Sequence, residues 1–396
     1  MTAPNPYIKQ YLMTAGPTPL PPRVLSVMAE PLVYHRAPAF DALFARVLGR
    51  LPKMFQTSND VMVFASSGSG AMESAVANLV RPGEPVLACA AGKFGERWIE
   101  LGEAHGADVV RYEPGWGGRL DPYEVDRHLT ERPEIQVAFA TLSETSTGVV
   151  HDVQALAEVA RRHDAMLVVD AVSGLGAAEL RQDEWGIDVV VTGSQKALMT
   201  PPGLGFVSAS QRALDYASDR RGGTYYFDWQ RTVAEVRKAA PATPFTPAVT
   251  LLAGLDVALG MIEEEGLERV LARHDLLARA TRAGAAALGL ELFGDPDERA
   301  TVVTAIELPE TIEGGKVPGL LRRRGITANG GQGQLKGRIL RIAHCGYFGA
   351  FDIVISLAGL EQVLAELGYD VELGAGVGAA QRVFLDAGVS AVAPPA

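Results

Sequence analysis

Cysteine is scarce in this chain. Cys89 and Cys345 are the only two in 396 residues, far apart and without metal-ligand spacing. That excludes a disulfide framework and gives no sign of a metal site. Basic charge is also short: 36 Lys and Arg stand against 47 Asp and Glu, a formal net charge of -11. A nonspecific nucleic-acid binder needs a basic footprint, and none is present. No apolar run is long enough to span a bilayer, and residues 1–22 carry prolines and polar residues where a signal peptide would carry a continuous apolar stretch. The expected setting is the cytosol, with neither nucleic acid nor membrane as partner. Internal repeats and low-complexity linkers are missing as well. What is present is an ordinary globular composition, 47% hydrophobic and 21% charged, with length for a large core and two domains.

Short apolar runs alternate with amphipathic segments through the middle of the chain. Strands are expected at 61–65, 85–90, 108–112, 135–140, 166–170, 188–192 and 205–209, and helices at 70–80, 94–105 and 153–163. Strand–helix alternation predicts a mostly parallel seven-stranded sheet with helices on both faces, an α/β architecture. Such sheets bind ligands outside the carboxyl ends of their strands. After Pro247 long helical patterns run to about 288, followed by strands at 301–308 and 338–343. Helices are expected at 316–324, 351–367 and 374–387. This is the texture of a smaller α+β C-terminal domain, and the Pro-Pro-Ala tail is expected to be loose. The expected division is an N-terminal segment over 1–20, a large domain over 21–264 and a small domain over 265–396.

Lys196 ends the run Asp188-Val-Val-Val-Thr-Gly-Ser-Gln-Lys196. Four apolar or β-branched residues in succession suit a strand covered on both sides. An amine at its exit is either a solvated cap or a desolvated nucleophile of the Schiff-base kind. Asp170 closes the strand 166–170, where it either caps a turn or pairs with a protonated pyridine nitrogen. Ser67, Gly68 and Ser69 follow the strand 61–65 and open a helix, as a serine cap or as a phosphate cradle. Neither a dinucleotide fingerprint nor a P-loop fits, because Glu73 takes the third glycine position and no Gly-Lys-Ser/Thr follows. The segment from Glu144 to Gly148 brings hydroxyls to the same edge. Phe94 plugs the core or stacks on a flat ligand. Arg341, among apolar neighbours in a strand, needs an anion: a structural partner or a ligand carboxylate. The loop Gly330-Gly-Gln-Gly333 reads as mobile, with no helix directly after it. A phosphate cradle, an acid, a lysine and a carboxylate-reading arginine together describe pyridoxal 5′-phosphate (PLP).

On these residues the chain resembles the class V aminotransferases of fold type I, in the alanine/serine–glyoxylate branch, from Gly16-Pro-Thr-Pro19 to Tyr347. The most specific elements are Ser67-Gly68-Ser69, the segment from Lys93 to Arg97, that from Glu144 to Gly148, Asp170-Ala-Val-Ser173, Thr192-Gly-Ser-Gln-Lys196 and Arg341. The resemblance implies that Lys196 carries the cofactor and Asp170 binds its ring nitrogen. It implies that Ser67, Gly68, Ser69 and Gln195 hold the phosphate and that Thr145 lies beside the phenolic oxygen. Phe94 matches a stacking position where the family often has tryptophan. Arg341 matches the arginine that grips the substrate carboxylate, and the backbone near Gly16 lines the substrate side. The family's homodimer would bring Thr246, Tyr34 and His35 to the neighbouring subunit's site.

The activity so implied moves an amino group from alanine or serine to glyoxylate or pyruvate in two half-reactions. Aspartate and ureidoglycine are alternative donors, although no second unpaired arginine stands out for a distal carboxylate. A cysteine desulfurase or other lyase is the rival on this scaffold. Desulfurases place histidine before the lysine, where this chain has Gln195, and they need a cysteine on a mobile loop.

Overall fold

The computed structural model describes residues 8–220 and 224–388; the Pro-Pro-Ala tail lies outside them. A seven-stranded sheet forms in the order Val61–Phe64, Gly205–Ala209, Val189–Gly193, Met166–Asp170, Val137–Thr141, Pro85–Cys89, Asp108–Tyr112. Gly205–Ala209 runs antiparallel to both its neighbours, and the other pairings are parallel. Side-chain alternation explains the layering. Val61 and Val63 enter one core with Leu167, Val169 and Val190. Met62 and Phe64 enter the opposite core with Met166, Val168, Val189 and Val191. With both faces buried, the central strands read as unbroken apolar runs.

Helices Pro38–Phe55, Val153–Arg162 and Val249–Glu265 cover the first face, and Gly68–Leu79, Lys93–Ala104 and Trp229–Val236 the second. Helix Gly68–Leu79 begins two residues before the expected start at 70, because Ser67 is its N-cap and accepts from Gly70 N. The strand expected at 135–140 forms instead at Val137–Thr141.

A third core gathers residues from Leu276 to Phe384 around helices Leu267–Ala287, Ala350–Glu366 and Ala375–Ala387. It backs an antiparallel sheet in the order Val303–Glu307, Ile339–Ala343, Asn329–Gly330. Gly266, at φ +87, separates the two long helices. The N-terminal segment is stitched to this C-terminal part: Tyr11–Leu12 pairs in parallel with Ile326–Thr327, and Met13 N donates to Thr327 O at 2.8 Å. Among the described residues no helix is long and apolar enough to cross a membrane.

Candidate active site

The carboxyl ends of the central strands open into one cleft, and the lysine exit loop crosses its floor. Ser194 shapes that loop by donating from Oγ to Pro201 O at 2.6 Å, while Thr18 donates to the carbonyls of Gln195 and Lys196 at 3.1 and 3.0 Å. Lys196 is only 8% exposed, and its amine donates to Ala15 O. Burial holds this amine below the usual lysine range, helped by the guanidinium charges of Arg341 and Arg97; Cys345 and Asp170 oppose the shift. The solvated-cap alternative is therefore wrong.

Asp170 lies buried in the same cleft and accepts from Val172 N at 2.7 Å. Burial pushes its carboxyl up to about 6, with Glu144 adding to the shift and Arg97 and Lys196 opposing it. Such a carboxylate is short of cationic partners until one arrives.

Ser67, Gly68, Ser69 and Gln195 line the same cleft. A β-carbon on Gly68 would meet Val172 Cγ2 at 2.6 Å, and one on Gly193 would lie 2.8 Å from Gln195 Oε1 and 3.2 Å from Gly68 N. The backbone is thus kept bare where the helix amides open. Gln195 Oε1 and Ser143 Oγ, both in residues lining the cleft, are buried without a hydrogen-bond partner. Orphaned polar atoms beside bare backbone fit a polar ligand group in the cradle.

Glu144, between the lining residues Ser143 and Thr145, anchors the helix that carries Phe94. Its Oε2 accepts from Phe94 N and Gly95 N at 3.0 and 2.9 Å, and its Oε1 from Ser146 N and Oγ at 3.1 and 2.6 Å. An anion on the first amides of helix Lys93–Ala104 complements the helix dipole and fixes where Phe94 stands. Of the hydroxyls expected at this edge, those of Ser146 and Thr147 are consumed locally, Thr147 on Glu144 O, while Thr145 lines the cleft. Phe94 is part-exposed to the cleft, so the core-plug alternative fails; Trp98 is the plug, stacked on Phe139 at 4.7 Å.

Arg341, 4% exposed, donates to Thr145 O at 2.7 Å and to Gly330 O at 3.0 and 2.9 Å. Those are carbonyls: no carboxylate among the described residues pairs with it, which removes the structural ion-pair reading. Burial pushes its guanidinium down to about 10, leaving it charged at neutral pH. The loop 330–333 is anchored where a mobile one was expected, through Gly330 O and through Gly331 N to Ile339 O at 3.0 Å.

Gly16 and Lys196 complete the floor. Of the expected site residues, Arg341 reaches this cleft only through the Thr145 carbonyl, and Tyr34, His35 and Thr246 are not brought to it. Tyr34 stands 63% exposed with its ring 5.0 Å from His35, and Thr246 lines a separate pocket with Tyr226 and Phe245. Six lining residues were not among the expected site residues: Pro17, Arg97, Ser143, Val172, Ser173 and Pro202. Arg97 follows Phe94 by three residues, one helical turn, and that spacing was a signal for it.

Residues 10–337 match the model of the aminotransferase class-V family. The soluble hydrogenase 42 kDa subunit of Anabaena cylindrica is 40% identical over 95% of this chain and 99% of its own. The serine–glyoxylate aminotransferase of Arabidopsis thaliana is 35% identical over 94% of each. Among solved structures, the ureidoglycine–glyoxylate aminotransferase of Bacillus subtilis superposes with a TM-score of 0.91 at 33% identity, covering 97% of this chain and 100% of that one. With the lysine, acid and glycine-lined cradle gathered at one sheet edge, the chain belongs to the class V aminotransferases, a family of PLP-dependent transaminases on the fold type I scaffold.

Proposed function

We propose that this enzyme transfers the amino group of a small L-amino acid, alanine or serine, to glyoxylate or pyruvate. The observation that carries the reading is Arg341, a buried cation without a carboxylate partner, holding the Thr145 carbonyl at the Lys196 cleft. Its planar fork suits an α-carboxylate. Aspartate and ureidoglycine are the other donors to be compared.

Pyridoxal 5′-phosphate, when bound, supplies the electron sink. Ser67, Gly68, Ser69 and Gln195 would hold its phosphate, and Asp170 its ring nitrogen. Phe94 on one side and Val172 on the other would flank its ring, with Thr145 beside the phenolic oxygen. Lys196 would anchor it; once free, its buried amine, held below the usual lysine range, would take the proton from the donor's α-carbon. The Ala15 carbonyl orients that amine. Arg341 fixes the donor so that the bond to be broken is held in one orientation.

Thiol chemistry of the desulfurase kind is disfavoured by the cysteines themselves. Both are buried and free, with burial pushing Cys345 up to about 11 and Cys89 to about 12. The same reading assigns 1–20, 21–264 and 265–396 as N-terminal segment, large domain and small domain, with the joint near Gly266. It also makes the protein a cytosolic homodimer in which Tyr34, His35 and Thr246 serve the neighbouring subunit. Their position outside their own cleft supports this.

The test follows the visible absorbance of the cofactor-loaded protein as alanine, serine, aspartate and ureidoglycine are added in turn. Loss with alanine or serine, and recovery with glyoxylate or pyruvate, is expected. A response to aspartate alone overturns the donor assignment, and a Lys196→Ala protein that still transaminates overturns the site.

A further inference from the structure

One cation in the cleft has no part in the reading above. Arg97 lines it together with Ser69 and Phe94. Its Nη1 donates to Ser69 Oγ at 3.0 Å, and its guanidinium carbon stands 5.0 Å from the centre of the Phe94 ring. The acids around it are engaged elsewhere. Glu96 accepts from Trp116 Nε1 at 2.7 Å and from Lys93 at 3.3 Å, and Glu100 from Lys93 at 2.8 Å. Both oxygens of Glu144 are taken up by Phe94, Gly95 and Ser146, and Asp170 accepts from Val172 N. Among the described residues none of these carboxylates forms an ion pair with Arg97.

This charge, without a direct ion-pair partner among the described residues, stands where the first turn of helix Gly68–Leu79 meets the cleft. The cradle itself offers only dipoles there: backbone amides, two hydroxyls and the Gln195 amide. A phosphate monoester carries nearly two negative charges at neutral pH, and dipoles alone leave much of that charge unmatched. We propose that Arg97, held at the cradle by Ser69, is the charge partner of the cofactor phosphate. This assignment rests on the reading that the cleft holds PLP. A guanidinium reading a distal substrate carboxylate would be the competing role, but the Ser69 bond and the Phe94 contact turn Arg97 to the cradle wall.

The discriminating probe is pyridoxal, which keeps the aldehyde and ring but lacks the phosphate. Protein stripped of cofactor is titrated with each compound, reading the visible absorbance of the bound form. The quantity of interest is the ratio of the two affinities. Arg97→Met is expected to weaken PLP about tenfold or more while leaving pyridoxal unchanged. Arg97→Lys, which keeps the charge and loses the fork, should recover part of the loss. Unchanged pyridoxal binding doubles as proof that the variant is folded. An unchanged ratio in Arg97→Met overturns the proposal, as does equal weakening of both compounds, which would mean that Arg97 only positions Phe94. An unchanged ratio with a raised KM for aspartate assigns the residue to a distal carboxylate instead. A wild-type protein that binds neither compound removes the cofactor reading itself, an outcome distinct from all of these.

Discussion

Gly16 and Lys196 are in such close contact that a β-carbon on Gly16 would lie 2.5 Å from the lysine Nζ. Gly16 also holds φ at +132, a conformation that a side chain resists. The segment that carries it is tied to the C-terminal sheet on one side and to the lysine loop on the other, so it has little room to yield. Gly16→Ala is therefore expected to lower kcat about 100-fold through displacement of the amine. Steady-state kinetics check this, and activity within threefold of wild type would show that the segment moves freely.

Asp170 couples function to a stability penalty. Its carboxyl is raised from 3.8 to about 6 by burial, so between those values the folded state binds the proton that the unfolded state releases. The penalty is absent below about pH 4, grows as pH rises through this window, and is full above about pH 6. Asp170→Asn keeps the acceptor for Val172 N and removes the charge. The cofactor-free variant should be more stable by about 3 kcal/mol at pH 8, and no more stable at pH 4. Denaturant midpoints at the two pH values measure this, while turnover should fall by about 100-fold or more with the proposed ring-nitrogen partner lost.

Glu144 is expected to matter without touching the reaction. Glu144→Gln turns an acceptor of four hydrogen bonds into a group that must point an NH2 at donors. A loss of about 1–3 kcal/mol in stability is expected. Because Glu144 also raises the Asp170 carboxyl, the variant should lower the pH at which Asp170 titrates. A stability loss without that shift would separate the capping role from the electrostatic one.

Arg341→Lys keeps a cation but cannot hold two carbonyls and a carboxylate with one ammonium. kcat/KM for the amino donor should fall about 100-fold, with cofactor affinity unchanged. Equal loss of cofactor binding would place the arginine on the wrong ligand.

Much of this protein is legible in its residues. Apolar runs such as 166–169 and 189–191 announce doubly covered strands, and the polar residues that follow them, Asp170 and Thr192, announce a site at the carboxyl edge. Local chemistry also identifies Ser67 as a cap and Arg341 as a cation in need of an anion. Arg97 and Glu144 were harder, because an exposed-looking arginine in a helix and an acid in a turn have many ordinary roles. Their importance lies in long-range partners: Ser69 for one, the Phe94 and Gly95 amides for the other.

The lysine, the acid, the glycine-lined cradle and the alternating strands follow from the sequence alone, because each rests on local geometry or on a side chain's own chemistry. Which alternative each residue takes is decided only by tertiary structure. Folding removes water from Lys196, leaves Arg341 with carbonyls and no carboxylate among the described residues, and brings Ala15, 181 positions away, onto the amine. Desolvation and the choice of partner depend on what the rest of the chain packs around a group, and no local window contains that information.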